Sequence, residues 1–223
     1  MSIWSRISAA LSALASGEPL SEVFDRLRTP PERSVAFAIA VIALGAKIAK
    51  ADGTVTRDEV RAFREVFIIP KDEEANAARV FNLARQDVAG FDVYARRIAT
   101  LFEDGHDVLR DLMEGLFHIA TADGEYHTAE NEMLLEVATI FGLTDAEFRS
   151  LRARFVPDAA PDPYDVLGVT RETPIEDIRR AWHRAVRDSH PDTMIARGVP
   201  EEAIRLAEQR LIAVNRAWEE ISA

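Results

Sequence analysis

No cysteine occurs among the 223 residues, which excludes disulfides and cysteine-based zinc sites and fits a reducing compartment. Lysine is nearly absent: arginine outnumbers it 24 to 3, a codon-level bias of GC-rich genomes with no functional meaning by itself. Long hydrophobic runs are also missing. The longest, Val35 to Ala46, is twelve residues closed by Lys47; a bilayer span needs about 20, so this run reads as a buried helix. No basic stretch followed by a continuous apolar core opens the chain, which argues against a secretory signal. Positive charge is in deficit, with a formal net charge of −11, and this argues against a nucleic-acid partner, which needs clustered cations. There is no Walker loop, nucleophile motif or HExxH, so the chain is not expected to be an enzyme and no cofactor is expected.

What is present is helical periodicity. Apolar residues recur at three- and four-residue spacing over Val35–Lys50, Asp58–Phe67, Asp72–Arg85, Tyr94–Phe102, Asp107–Ala122, Ala129–Phe141 and Asp145–Phe155, and no stretch alternates with period two. Two breaks divide the chain. Thr29-Pro30-Pro31 ends an N-terminal segment in which Trp4, Ile7, Leu11 and Leu14 share one helical face. That face is expected to pack on protein, because a membrane-surface helix carries more Lys and Arg opposite its apolar side; a weak peripheral membrane contact stays open. Val156 to Pro163 holds three prolines and reads as a linker.

An internal repeat lies between the breaks. Ile48-Ala49-Lys50-Ala51-Asp52-Gly53 matches Ile119-Ala120-Thr121-Ala122-Asp123-Gly124 at an offset of 71, and Glu59 then matches Glu130. Each copy reads as a helix, a glycine in the left-handed C-cap conformation and a second helix. Thr56 with Glu59 and Thr144 with Glu147 form capping boxes. The expected architecture is all-α: an amphipathic segment over 1–30, a pseudo-symmetric helical bundle over 31–156, a linker over 157–162 and a small helical hairpin over 163–223. The paired Ala-Asp-Gly turns, each followed seven residues later by glutamate, resemble the TerB-like (tellurite-resistance B) domain. Asp52, Glu59, Asp123 and Glu130 would be the carboxylates for Ca²⁺ or Mg²⁺ if the repeats converge. Ordinary helix-end chemistry explains the same residues, so no metal is assigned.

The hairpin carries the sharper signal. Pro163-Tyr164-Asp165-Val166-Leu167-Gly168-Val169 reads as a short helix stopped by glycine. Thr173-Pro174-Ile175-Glu176 offers an N-cap, a proline at N1 and a glutamate at N3 for a helix running to about Ser189. One side of that helix holds Ile178, Ala181, Trp182, Ala185 and Val186; the other holds Arg180, His183, Arg184 and Arg187, with Arg179 near its edge. His190-Pro191-Asp192 ends it, since proline cannot continue a helix and pushes the preceding residue toward an extended conformation. A last helix, with Ile204, Ala207, Leu211, Val214, Trp218 and Ile221 on one seam, is expected to pack antiparallel on the apolar face and leave the tripeptide on a connecting loop.

This order resembles the J-domain, and the combination resembles the DnaJ-like protein A (DjlA) group of co-chaperones. The resemblance implies that His190, Pro191 and Asp192, with Arg179, Arg180, His183, Arg184 and Arg187, bind a DnaK-type (heat shock protein 70) chaperone and promote its ATP hydrolysis. The bundle would recruit an unknown client or scaffold. Members of the group usually start with a transmembrane segment; none is read here, so their anchoring is not carried over, and a cytoplasmic location, with peripheral contact at the inner membrane as the variant, is expected. The resemblance implies that His183 stands where the family often has lysine and Thr193 where a basic residue is usual, and Asp188 is expected to set a negative charge near the basic face. The alternative is a stress-response scaffold or metal-binding protein of the TerB kind with an accessory J-domain.

Overall fold

The computed structural model describes residues 3–19, 22–23, 26, 32–48, 71, 75, 90–102, 105–122, 124, 126–156, 161–199 and 204–223. The expected helices Asp58–Phe67 and Asp72–Arg85, the first Ala-Asp-Gly turn and the Thr56–Glu59 capping box lie outside these residues. Among the described residues the regular structure is all helical, without strands: α1 (Ile3–Ala15), α2 (Glu32–Ile48), α3 (Phe91–Leu101), α4 (His106–Ala120), α5 (Thr128–Ile140), α6 (Asp145–Phe155), α7 (Pro163–Val166), α8 (Ile175–Asp188), α9 (Pro191–Arg197) and α10 (Ile204–Ser222).

The apolar run of the sequence becomes α2, which is buried continuously from Phe37 to Ala46. A helix apolar all round has no solvent face to keep and sits at the centre of a bundle. It crosses α4 closely because both helices carry glycine at the crossing. A Cβ on Gly45 would lie 2.6 Å from Ile119 Cδ1, and one on Gly115 would lie 3.2 Å from Val41 Cγ1. Around this pair Ile98, Phe102, Leu112, Leu116, Leu134, Val137 and Leu151 close the core, and Ile7 of α1 is fully buried against it. Phe117 gathers Phe148, Phe155 and Tyr126 at centroid distances of 5.5, 6.0 and 6.2 Å.

Of the two capping features the sequence places on described helix ends of the bundle, one forms and one does not. At the start of α6, Glu147 N–H donates to Thr144 Oγ1 (3.3 Å) and Thr144 N–H donates to Glu147 Oε2 (2.8 Å), the reciprocal pattern of a capping box. Gly124 adopts φ of +86°, but α4 ends at Ala120 with Thr121 as its C-cap. The glycine therefore closes the turn beyond the helix instead of capping it.

In the hairpin, Asp162 caps α7 through Tyr164 N–H (3.0 Å), and Gly168, at φ +67°, turns the chain away. Helix α8 starts one residue later than its signature implies. Pro174 is the N-cap, and its carbonyl accepts from Asp177 N–H (2.8 Å) and Ile178 N–H (3.0 Å). Thr173 turns its hydroxyl back to Thr170 N–H (3.1 Å). Val166, Leu167, Ile178, Val214 and Ala217 form a small core, extended by Trp182 stacked on Trp218 (5.1 Å, 8° between planes). Trp182 Nε1–H donates to Asn215 Oδ1 (2.9 Å), which satisfies the indole.

Two expectations are corrected here. The tripeptide does not lie on an open loop: His190 is the N-cap and Pro191 the first residue of α9. Proline is favoured at that position because its missing N–H has no intrahelical acceptor and its φ is already helical. The last helix does not pack on α8 along its whole length either. Its C-terminal half does, but Leu206 and Ala207 are buried in the bundle core together with Met194 and Val199. Helix α9 and the turn after it stand between the first half of α10 and α8, so that half finds its apolar partner on α4, where Leu206 Cδ1 reaches the Gly115 crossing.

Candidate partner-binding surface

Helix α8 presents Arg179, Arg180, His183, Arg184 and Arg187 to solvent while Ile178 is buried and Trp182, Ala185 and Val186 pack inward. Successive 100° steps order the exposed side chains Arg179, His183, Arg187, Arg180, Arg184 across a broad band. The middle is open: Arg180 and Arg187 side chains are 74% and 75% exposed. Its edges meet other features. Arg179 borders a recess beside Trp182 and Trp218, and Arg184 faces a cleft of about 420 Å³ between α8 and α6, shared with Arg110 and Arg154. Arg180 is ion-paired with Asp177, a pair this exposed contributing at most modestly.

The tripeptide adjoins the end of this band. His190 is extended (φ −68°, ψ 132°), as a residue before proline should be. Its Nδ1 accepts the N–H of Asp192 (3.2 Å). A ring accepting at Nδ1 carries its proton at Nε2, so the outer edge offers a donor. The Asp192 carboxylate is 89% exposed, with His190 Nδ1 3.8 Å away. Pro191 fixes the backbone between them. The trio thus presents one donor and one carboxylate on a stiff helix start, a geometry able to accept charge-assisted hydrogen bonds from an arginine.

Asp188 does set a negative charge beside the basic band, against Arg187, but most of its contacts lie behind the band. Its side chain is 15% exposed and turned inward, with Arg197 Nη2 at 3.2 Å, Arg110 Nη2 at 3.7 Å and Arg187 Nε at 3.8 Å. It belongs to an ion cluster that sequence reasoning missed. Asp111 and Glu114 of α4 are fully buried. Arg210 of α10 donates from Nε to Glu114 Oε1 (2.8 Å) and from Nη2 to Glu114 Oε2 (2.6 Å) and Asp111. Arg154 of α6 donates to Glu114 Oε1 as well. Arg197 of α9 reaches Asp107 (3.3 Å) and Asp111 (3.7 Å).

Burial alone would raise the Glu114 carboxyl, but Arg154 and Arg210 outweigh it and hold the group below the usual carboxylate range. Asp111 goes the other way: burial raises it, and the attraction of Arg210, opposed by repulsion from Glu114, does not make up the difference. Burial likewise lowers Arg154, offset only in part by Glu114. Burial would also lower Arg210, but Glu114 and Asp111 together raise it. The sequence held a signal for this cluster. Asp107, Asp111 and Glu114 recur at i, i+4 and i+7 along one helix, and Arg210 lies between Ala207 and Val214 of the apolar seam.

Of the candidate metal carboxylates, Asp52, Glu59 and Asp123 lie outside the described residues. Glu130 is buried, and its Oε2 accepts the N–H of His127 (2.8 Å), which is helix-start chemistry. Among the described residues no group of three or more His, Cys, Asp or Glu could hold a metal ion, and no helix is long and apolar enough to cross a membrane.

Residues 38–153 match the family model for Tellurite resistance protein TerB, the stretch running from α2 to α6. Most of the chain is similar to proteins named Co-chaperone protein DjlA. That of Photobacterium profundum is 25% identical over 216 residues, covering 85% of this chain and 78% of that protein. That of Coxiella burnetii is 28% identical over 196 residues, covering 78% and 72%. That of Salmonella typhimurium is 22% identical over 262 aligned positions, covering 98% and 97%. No solved structure matches.

Proposed function

The chain belongs to the TerB family, and on that premise, joined to its DjlA-type organisation, we propose that it is a co-chaperone that stimulates ATP hydrolysis by a DnaK-type chaperone. The observation that carries the reading is the exposed His190-Pro191-Asp192 start of α9 beside the cationic band of α8. The arginines steer an acidic surface of the chaperone into place. His190 and Asp192 then make the directional contacts, and Pro191 keeps them in register. The chain itself performs no reaction and needs no cofactor; the ATPase belongs to the partner. The TerB bundle recruits a client or scaffold.

The test is single-turnover ATP hydrolysis by a cognate DnaK-type chaperone with wild-type protein and with His190→Gln. Stimulation by the wild type that disappears in the variant is the expected result; no stimulation by either, with both folded, removes the reading. The TerB match leaves a second reading, a stress-response scaffold, for which divalent-cation binding by the bundle is a further proposal. Titration of the full chain with Ca²⁺ and Mg²⁺ decides it: a specific affinity lost in Glu130→Gln would favour that reading.

A further inference from the structure

We infer that Arg197 is a positioning residue: it clamps α9 onto the acidic face of α4 and so holds the tripeptide in its partner-binding orientation, making the bundle part of the chaperone contact. The inference rests on the function proposed above.

A seven-residue helix does not persist by itself in water, because its nucleation is unfavourable and few intrahelical bonds follow. Helix α9 is therefore ordered by what it touches. Met194, with no exposed surface, and Val199, 1% exposed, are part of the bundle core. Three residues after Met194, on the same helical face, Arg197 sends one guanidinium to three carboxylates: Asp107 and Asp111 on α4, and Asp188 on α8. Its Nη1 also points to the Asp188 carbonyl (3.5 Å). One side chain thus ties together the bundle, the end of the basic helix and the helix that begins with the tripeptide. Arg210 fixes the same stretch of α4 to α10.

The docked arrangement does not hide the partner surface. His190 and Asp192 side chains are 62% and 89% exposed, and Ile195 and Ala196 form an outer face opposite Met194 and Arg197. Opening the clamp would uncover no further partner residue of α9. It would only return α9 to an ensemble in which the His190–Asp192 geometry is one state among several. When the competent state is a fraction of the population, apparent affinity falls by that fraction while the saturated complex is unchanged. The clamp therefore acts on affinity, and the tripeptide acts on the ATPase.

The experiment measures chaperone ATPase stimulation against concentration for the full-length wild type, Arg197→Met, Arg197→Lys, Asp107→Asn and His190→Gln, with amide hydrogen exchange on each. Arg197→Met is expected to raise the half-maximal concentration about tenfold with the same maximum, and to speed exchange within residues 191–199. Lysine at 197 restores part of the affinity. Asp107→Asn, at the exposed end of the clamp and without risk to the core, shifts it about two- to threefold. An unchanged half-maximal concentration in Arg197→Met, a lowered maximum alone, or stronger stimulation would each overturn the inference. A wild type that does not stimulate removes the functional reading and the inference together. A wild type that stimulates, with His190→Gln inactive and Arg197→Met indistinguishable from wild type, removes the inference alone.

Discussion

Arg210 on the last helix donates from Nε to Glu114 at the heart of the bundle, a 2.8 Å contact between residues 96 apart in sequence. Both side chains are buried, and Arg154 and Asp111 share the site. A buried ion cluster of this kind is not strong evidence of net stability, because desolvating the charges offsets much of their attraction. Its consequence is geometric: the hairpin cannot leave the bundle without exposing apolar surface and stranding charge.

Replacing one member therefore costs more than the cluster contributes. Arg210→Met should destabilise the protein by about 3 kcal/mol or more, because Asp111 loses its closest cation and Glu114 keeps only Arg154. Urea unfolding followed by far-UV circular dichroism and by tryptophan fluorescence checks this. Coincident transitions are expected in the wild type. In the variant the fluorescence transition, weighted toward Trp182 and Trp218, should move to lower urea than the helical signal.

The same cluster sets an acid response of mixed sign. Glu114 is held below its ordinary range by Arg154 and Arg210 acting against burial. Its contribution is present above the unfolded value of about 4.3 and is lost as pH falls through the lower folded value. Asp111 is raised by burial. Its contribution is complete below its unfolded value of about 3.9 and is lost as pH rises through the raised folded value. The two oppose each other, so the acid loss of stability should be shallower than Glu114 alone would give. Urea midpoints between about pH 6 and pH 3 should fall less steeply in Glu114→Gln and more steeply in Asp111→Asn.

At the start of α6 the sequence and the structure agree, and a cap substitution measures how much the agreement matters. Thr144→Ala removes the acceptor for Glu147 N–H and should cost about 1 kcal/mol. The urea midpoint gives the value. The loss should be partial, because the Glu147 carboxylate still accepts from Thr144 N–H and lies 2.8 Å from His106 Nε2.

What was legible divides by range. Helix α6 was readable to the residue, from Asp145 to Phe155, because its cap and its apolar spacing are both local. The stop at Gly168 and the inward set Ile178, Trp182 and Ala185 were readable for the same reason. Helix α9 was not, because proline serves equally to end one helix and to begin another, and only what packs beneath Met194 decides between them. The double role of α10 was hidden for a similar reason. Ala207 and Val214 fall on one seam, yet Ala207 faces the bundle and Val214 the hairpin. The inward turn of Asp188 depends on Arg110 and Arg197, whose proximity no spacing rule supplies.

The cationic band makes a prediction about ionic strength. His183 is exposed on α8 and Thr193 is half-buried just after the tripeptide. Placing lysine at each site adds charge next to Arg187 and Asp192 at little desolvation cost. If an acidic chaperone surface is the partner, His183→Lys with Thr193→Lys should lower the concentration for half-maximal ATPase stimulation several-fold at low salt. The gain should shrink as salt brings the screening length to about 10 Å near 0.1 M, while maximal stimulation stays the same, since added charge accelerates encounter more than it changes the docked complex. A gain that persists undiminished at high salt would mean that the lysines make a direct contact instead, and equal stimulation curves at every salt concentration would remove the electrostatic role assigned to this face of α8.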